Sequence, residues 1–275
     1  MEGRLNEPGG ATLVNVLGAG GAGTTMLALM LGNSTRGFTP GETRAWYRPS
    51  SPNHFTFGCW CRRNPCPLWE RLGVFPEDEF FRRVSDELAP DVVADSSKWL
   101  DWARDAGEWA ERDGYRVRNV LIWREPVDLV YTMWRRGRLG GGKRERPSGD
   151  ALVRRGTAAL ARQFFDYTEK AFAGFGPTVV SCERLIDDPA GVLEALCDRI
   201  GITYRPGQER FWEKEHHTLF GNETARKTIE AGDGGGFERT ERDPEFDLAA
   251  TELVEAIESH ERIQGTLRRL RAASL

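Results

Sequence analysis

Residues 12–32, within ATLVNVLGAGGAGTTMLALMLG, constrain the fold more than any other part of the chain. Leu13, Val14, Val16 and Leu17 form a compact apolar run, the pattern of a strand buried on both faces of a parallel sheet. A turn carrying Gly18, Gly20, Gly21 and Gly23 follows, then Thr24, Thr25 and a run of helix formers over 26–31. Strand, glycine turn and helix start together aim free backbone N–H groups at an anion, and the helix dipole adds to the attraction. Glycines let the backbone approach such a ligand without side-chain clash. A phosphate or sulfate group is therefore expected on Gly20, Gly21, Ala22, Gly23, Thr24 and Thr25. The plainer alternative is a tight strand–helix connection with no ligand.

Three classes of protein use such a turn, and the residues separate them. A Walker-type loop needs Gly-x4-Gly-Lys-[Ser/Thr]; Gly18 and Gly23 have the spacing, but Thr24 stands in the lysine's place, which disfavours nucleotide hydrolysis. Gly18-x-Gly20-x-x-Gly23 matches the dinucleotide fingerprint, which also needs an acidic residue closing a second strand about 20 residues on. Residues 33–48 hold no apolar run for that strand and read as a polar loop, so an NAD(P)-dependent dehydrogenase rests on glycine spacing alone. The Gly-Thr-Thr ending instead resembles the phosphosulfate-binding loop of sulfotransferases that use 3′-phosphoadenosine 5′-phosphosulfate (PAPS). Those loops usually carry Arg or Lys two residues before the Gly-Thr pair; here that place is Gly21.

A chain of 275 residues supports one sizeable α/β domain. No apolar run approaches the roughly 18 residues a membrane helix needs. The N-terminal stretch MEGRLNEPGG lacks the charged-then-apolar order of a secretion signal, making a cytoplasmic location the default expectation. A net charge of −4 argues against general nucleic-acid binding. Yet residues 112–155 hold 12 Lys/Arg against five Asp/Glu, either a solvated face or a funnel toward an anionic cofactor. Five cysteines do not make a disulfide framework. His54 with Cys59, Cys61 and Cys66 is a zinc-like set, but Cys-x-Cys is not the usual structural-zinc spacing. Reduced thiols packed under a loop are the simpler reading.

Further motifs extend the resemblance along most of the chain. Gly41-Glu42-Thr43-Arg44 resembles a pattern of the tyrosylprotein sulfotransferases, which implies Glu42 as general base and Arg44 on the acceptor or the sulfuryl oxygens. Asp95-Ser96-Ser97-Lys98 closes a short apolar strand at 90–94, and the resemblance implies that Lys98 faces the transferring group. After the strand 117–123, Leu121-x-x-Arg124-x-Pro126 with Thr132 eight residues beyond the arginine resembles the family's 3′-phosphate motif. Glu125 replaces the more usual Asp or Asn there, and Cys182 stands where a tyrosine often lies near adenine. His216 through Gly221-Asn222, with Arg226 and Lys227, resembles the segment that closes over the 3′-phosphate, making Asn222, Arg226 and Lys227 candidate contacts.

Periodicity predicts helices over 76–88, 98–113, 127–136, 151–173 and 248–270, with Pro189 opening another that runs to 199. Residues 137–150 and 231–243 read as flexible loops. The terminal helix could serve core packing or a homodimer contact. What the resemblance implies for the whole is a three-layer, P-loop-like α/β sulfotransferase fold: a central parallel sheet flanked by helices, with residues 1–275 as a single domain. It implies PAPS as donor, adenosine 3′,5′-bisphosphate as product, no metal, and a hydroxyl-bearing acceptor such as a small molecule, sugar or peptide. A second reading follows from Gly21: a nucleotide-binding protein of the same fold that lacks transferase activity or uses an altered donor.

Overall fold

β1 (Thr12–Leu17) is buried along its whole length because it lies in the middle of a five-stranded parallel sheet of order β2-β3-β1-β4-β5. The computed structural model describes residues 10–50, 54, 58–139, 146–234 and 241–275. In chain order β1 is followed by α1 (Thr24–Leu31), β2 (Phe38–Gly41), α2 (Thr43–Tyr47), α3 (Pro67–Leu72), α4 (Phe80–Leu88) and β3 (Val92–Asp95). Next come α5 (Leu100–Arg112), β4 (Arg116–Trp123), α6 (Pro126–Arg135), α7 (Gly149–Leu160), α8 (Tyr167–Phe175) and β5 (Thr178–Ser181). The chain ends in α9 (Cys182–Asp187), α10 (Pro189–Ile200), α11 (Glu223–Ala231), α12 (Pro244–Glu258) and α13 (Glu261–Ala273).

Alternation along the strands makes the three layers. Val14, Val16, Val120, Ile122 and Val180 share a core with α1, α9 and α10. Leu17, Leu121, Trp123 and Val179 point the other way, into a core with α6, α7, α8, α12 and α13. A third cluster joins Leu13 and Val93 to Phe80, Phe81 and Trp102, covering the end of the sheet that carries β2. Proline opens α3, α6, α10 and α12, where its missing N–H costs nothing and its φ suits a helix. Among the described residues no helix is long and apolar enough to cross a membrane.

Three elements depart from the sequence expectations. The stretch 33–48 is not all loop: it holds β2 and α2. β2 is only four residues, FTPG, and tolerates Pro40 because it is an edge strand, so no apolar run announces it. β3 lies between β2 and β1, whereas the dinucleotide fold sets its second strand beside its first, so the strand order differs from that of the dinucleotide fold. The helix expected over 151–173 is α7 and α8 joined by a π-helical turn, Ala161–Asp166. The helix expected over 248–270 breaks after Glu258. Its buried residues explain the break: Leu253 and Ile257 share one face, but Ile263 is six positions on, out of helical phase, and begins the stripe continued by Leu267 and Leu270. That apolar stripe is spent on the protein's own core. Of the loops 137–150 and 231–243, residues 140–145 and 235–240 lie outside the described residues.

Candidate active site

The carboxyl ends of β1, β3, β4 and β5 open onto one cleft of about 480 Å³, the place where open α/β sheets put their ligands. Each strand end delivers residues to it. β1 supplies the turn with Gly20, Gly21, Gly23, Thr24 and Thr25; β3 leads to Lys98; β4 ends before Arg124; β5 leads to Cys182 and Glu183. Glu42 arrives from the end of β2.

Gly23 caps α1 with φ +102 and has no side chain to bond the first turn, so the N–H groups there remain available to an anion. Ala22 is buried beneath the turn, its N–H bonded to Ala19 O at 3.0 Å. Gly21 has φ +103, and a Cβ built there would sit 2.8 Å from Thr132 Cγ2. That explains why the turn carries no cation: the backbone is left-handed and Thr132 occupies the space. Gly21→Lys is accordingly expected to destabilise the fold by about 1–3 kcal/mol rather than to restore a useful charge. Urea unfolding checks this, and an unchanged midpoint would contradict it.

Arg124 and Thr132, eight residues apart, come together as the motif spacing anticipated. Arg124 Nη1 donates to Thr132 Oγ1 at 3.0 Å and to Gly21 O at 3.3 Å, while its Nε lies 3.9 Å from Glu183. The guanidinium is thereby fixed against the glycine turn. Glu125 faces the other way and pairs with Arg271 at 2.9 Å. Beside Arg124, the cleft is also lined by Arg135, Arg136 and Arg138. Arg136 forms no ion pair among the described residues; burial, then Arg138, Arg135 and Arg124, press its pKa down to about 10. Cations crowded this closely lower their mutual cost when an anion sits among them. No motif marks Arg136 in the sequence; the excess of positive charge over 112–155 is the signal it carries. Cys182 also lines the cleft, and burial pushes its thiol up to about 11.

Glu42 and Lys98 also line the cleft and are ion-paired to each other, both side chains about one-fifth exposed at 23% and 20%. Glu42 N donates to Phe220 O at 3.2 Å, and Lys98 Nζ also donates to Ser96 O at 3.0 Å. Lys98 has φ +69, unusual for a side-chain-bearing residue and costing on the order of 1–3 kcal/mol unless its surroundings hold it. They do. Tyr167 OH donates to Lys98 O at 2.5 Å and accepts from Gly18 N at 3.1 Å, so one phenol joins the glycine turn to the lysine. Tyr167 is the first residue after the π-helical turn, a feature often found at functional sites. Below, the buried Asp95 carboxylate accepts from Ser97 N at 2.7 Å and Trp102 Nε1 at 2.9 Å, while Ser97 Oγ accepts from Arg44 N at 3.0 Å. Burial pushes the Asp95 carboxyl above its usual range against the pull of those bonds. Tyr167→Phe removes both bonds of the phenol and leaves buried backbone groups unpaired. An unfolding free energy lower by about 1–3 kcal/mol is the expected result.

Other predicted residues stand elsewhere. Arg44 is not among the residues lining the cleft: its guanidinium lies 4.2 Å over the Trp99 ring, with Asp101 at 3.9 Å. Asn222 does line it, caps α11 through its side chain, and donates its N–H to Thr25 Oγ1 at 3.2 Å. Arg226 and Lys227 do not line it; they make i,i+4 pairs with Glu230 (3.1 Å) and Glu223 (3.2 Å). From α11 it is Thr224, Ala225 and Thr228 that face the cleft.

Comparison with known proteins gives a fold. No family model matches the chain, and no curated protein matches it significantly. Among solved structures, the sulfotransferase domain of the Synechococcus PCC 7002 olefin synthase is similar with a TM-score of 0.51 at 15% identity, over 92% of this chain and 96% of that one. A sulfotransferase from Alicyclobacillus acidocaldarius gives 0.48 at 16% identity, over 93% and 95% of the two chains. The sulfotransferase domain of the curacin biosynthetic pathway gives 0.46 at 14%, over 89% and 98%. The chain has the fold of a sulfotransferase domain: an α/β protein with a central parallel sheet flanked by helices.

Proposed function

We propose that the cleft transfers the sulfuryl group of PAPS to a hydroxyl of an acceptor, leaving adenosine 3′,5′-bisphosphate, and that the chain acts as a single domain. The observation that carries the reading is one cleft lined by an uncapped helix start, an Arg124–Thr132 pair and a Glu42–Lys98 pair. The donor carries anionic groups at both ends, a phosphosulfate at the 5′ position and a phosphate at the 3′ position, and the cleft offers cations or amides for both.

In this reading the N–H groups of Gly20, Gly21 and Gly23 and the start of α1 hold the 5′-phosphosulfate, while Arg124, Thr132 and Arg136 hold the 3′-phosphate. Glu42 takes the proton of the acceptor hydroxyl as its oxygen bonds to sulfur. The bond from sulfur to the bridging oxygen breaks, and Lys98 stabilises the charge left on that oxygen. Like phosphoryl transfer, the reaction needs positioning and charge stabilisation more than covalent help from the protein. The Glu42–Lys98 contact sets the two groups side by side.

Gly21 supports a second reading, a nucleotide-binding protein of this fold without transfer, because the turn itself contributes no cation. Incubation with PAPS and mixed alcohol, phenol and sugar acceptors separates the two. Acceptor-dependent release of adenosine 3′,5′-bisphosphate is the outcome expected of a transferase. Tight binding of PAPS with no release for any acceptor class would favour the second reading.

A further inference from the structure

We propose that Cys59, Cys61, Cys66 and His217 form a structural zinc site that ties the segment after α2 to the segment before α11. One ligand atom from each residue converges so that all four lie within 4.8 Å of one another. His217 Nδ1 is 3.3 Å from Cys66 Sγ and 3.8 Å from Cys59 Sγ. Zinc bonds of about 2.3 Å to sulfur and 2.0–2.1 Å to nitrogen at tetrahedral angles put S and N about 3.6 Å apart. The two distances in the structure bracket that value. Three thiols and one imidazole nitrogen match a closed Cys3His set, and soft thiolates select zinc over the hard cations that prefer oxygen.

The surroundings of His217 are those of a metal ligand. With Nδ1 turned to the sulfurs, Nε2 lies 3.6 Å from Glu215 Oε2, and that carboxylate accepts from Arg63 Nη2 at 2.6 Å. A carboxylate behind the imidazole fixes the tautomer and ring orientation that a metal needs. The His217 carbonyl accepts from Trp69 Nε1 at 2.9 Å, which holds the residue from the other side. Cys59 and Cys66 are buried, Cys61 and His217 half-buried, so the cluster is sheltered yet reachable.

In the sequence the histidine nearest the three cysteines is His54. In the structure His54 is engaged elsewhere: its Nδ1 accepts from Ser50 N at 3.0 Å, and its ring meets Phe220 edge-on. The fourth ligand comes from 151 residues beyond Cys66, a separation that hides it from any local motif. None of the four ligands lines the cleft, apart from which the site stands. Its effect on the cleft is mechanical. Trp60, between the first two cysteines, donates its N–H to Thr218 O at 3.0 Å, and its ring packs over Gly221, where a Cβ would come within 3.1 Å. Gly221 and Asn222 are cleft wall, so a metal closing this long loop would hold that wall against α1. Binding releases the thiol protons to solvent and oxidises nothing.

Elemental analysis of the full chain, purified under reductant and without chelator, tests the site without reference to any nucleotide. One zinc per chain is expected, with full stoichiometry retained in Cys197→Ala, a core cysteine outside the cluster. Cys66→Ser and His217→Ala are expected to fall below about one-tenth of that content. Because those variants could unfold, cobalt exchange into the wild-type protein is the second arm. It should produce thiolate-to-cobalt charge-transfer bands and the intense d–d absorption of a tetrahedral site. Folded wild-type protein with free thiols, no zinc and no such spectrum would overturn the assignment, as would a disulfide within the cluster in protein prepared under reductant.

Discussion

Glu42→Gln is expected to lower turnover by about 10²–10⁴-fold while leaving nucleotide binding intact. The carboxylate is the only acidic group paired with Lys98 among the described residues, and glutamine keeps its size while losing its capacity to take a proton. The substitution also releases Lys98 from its ion pair, but the ammonium keeps its bond to Ser96 O and the anchoring of its own carbonyl by Tyr167. A steady-state assay for released adenosine 3′,5′-bisphosphate, paired with calorimetry, separates loss of chemistry from loss of binding. Full turnover in the variant would remove Glu42 from the role of base.

Arg124→Ala should produce the second large effect, on recognition rather than on chemistry. Its guanidinium is held against Thr132 and Gly21, so it is ready for a phosphate without reorganisation. Charge-assisted hydrogen bonds contribute about 1.5–3 kcal/mol each, so losing the fork should weaken binding of adenosine 3′,5′-bisphosphate by about 10²-fold or more. Adenosine 5′-phosphate, lacking the 3′ group, should bind the variant and the wild type alike. Arg124→Lys should fall between, because a point charge cannot reproduce two parallel N–H bonds. Equal weakening of both nucleotides would instead mean that Arg124 supports the turn and does not read the 3′ end.

Local pattern revealed the parts of this molecule that are local. β1, the glycine turn and α1 were legible because an apolar run, four glycines and a helix start occur in one stretch. The Arg124–Thr132 pair was legible through its resemblance to a family motif, an arginine before a proline with a hydroxyl residue eight positions on, and the two side chains do meet. β2 was not, since an edge strand of four residues with a proline carries no periodic signal. Arg226 and Lys227 were placed by likeness to a motif, but the phase of α11, set by its Asn222 cap, turns them to Glu230 and Glu223. Tyr167 carries no sequence signal for a related reason: it follows a π-helical turn, whose phase an ordinary helical pattern does not give, and its hydroxyl meets Gly18 and Lys98. His217 joins cysteines 151 or more residues away, and only the folded chain brings them together.

Calorimetry of the wild-type protein with adenosine 3′,5′-bisphosphate and with adenosine 5′-phosphate, side by side at physiological salt, tests the central claim most directly. A cleft that holds one nucleotide by amides at the 5′ end and by Arg124 and its cationic neighbours at the 3′ end predicts a preference of about 10²-fold for the bisphosphate. Equal affinities, or no heat with either nucleotide, would contradict it.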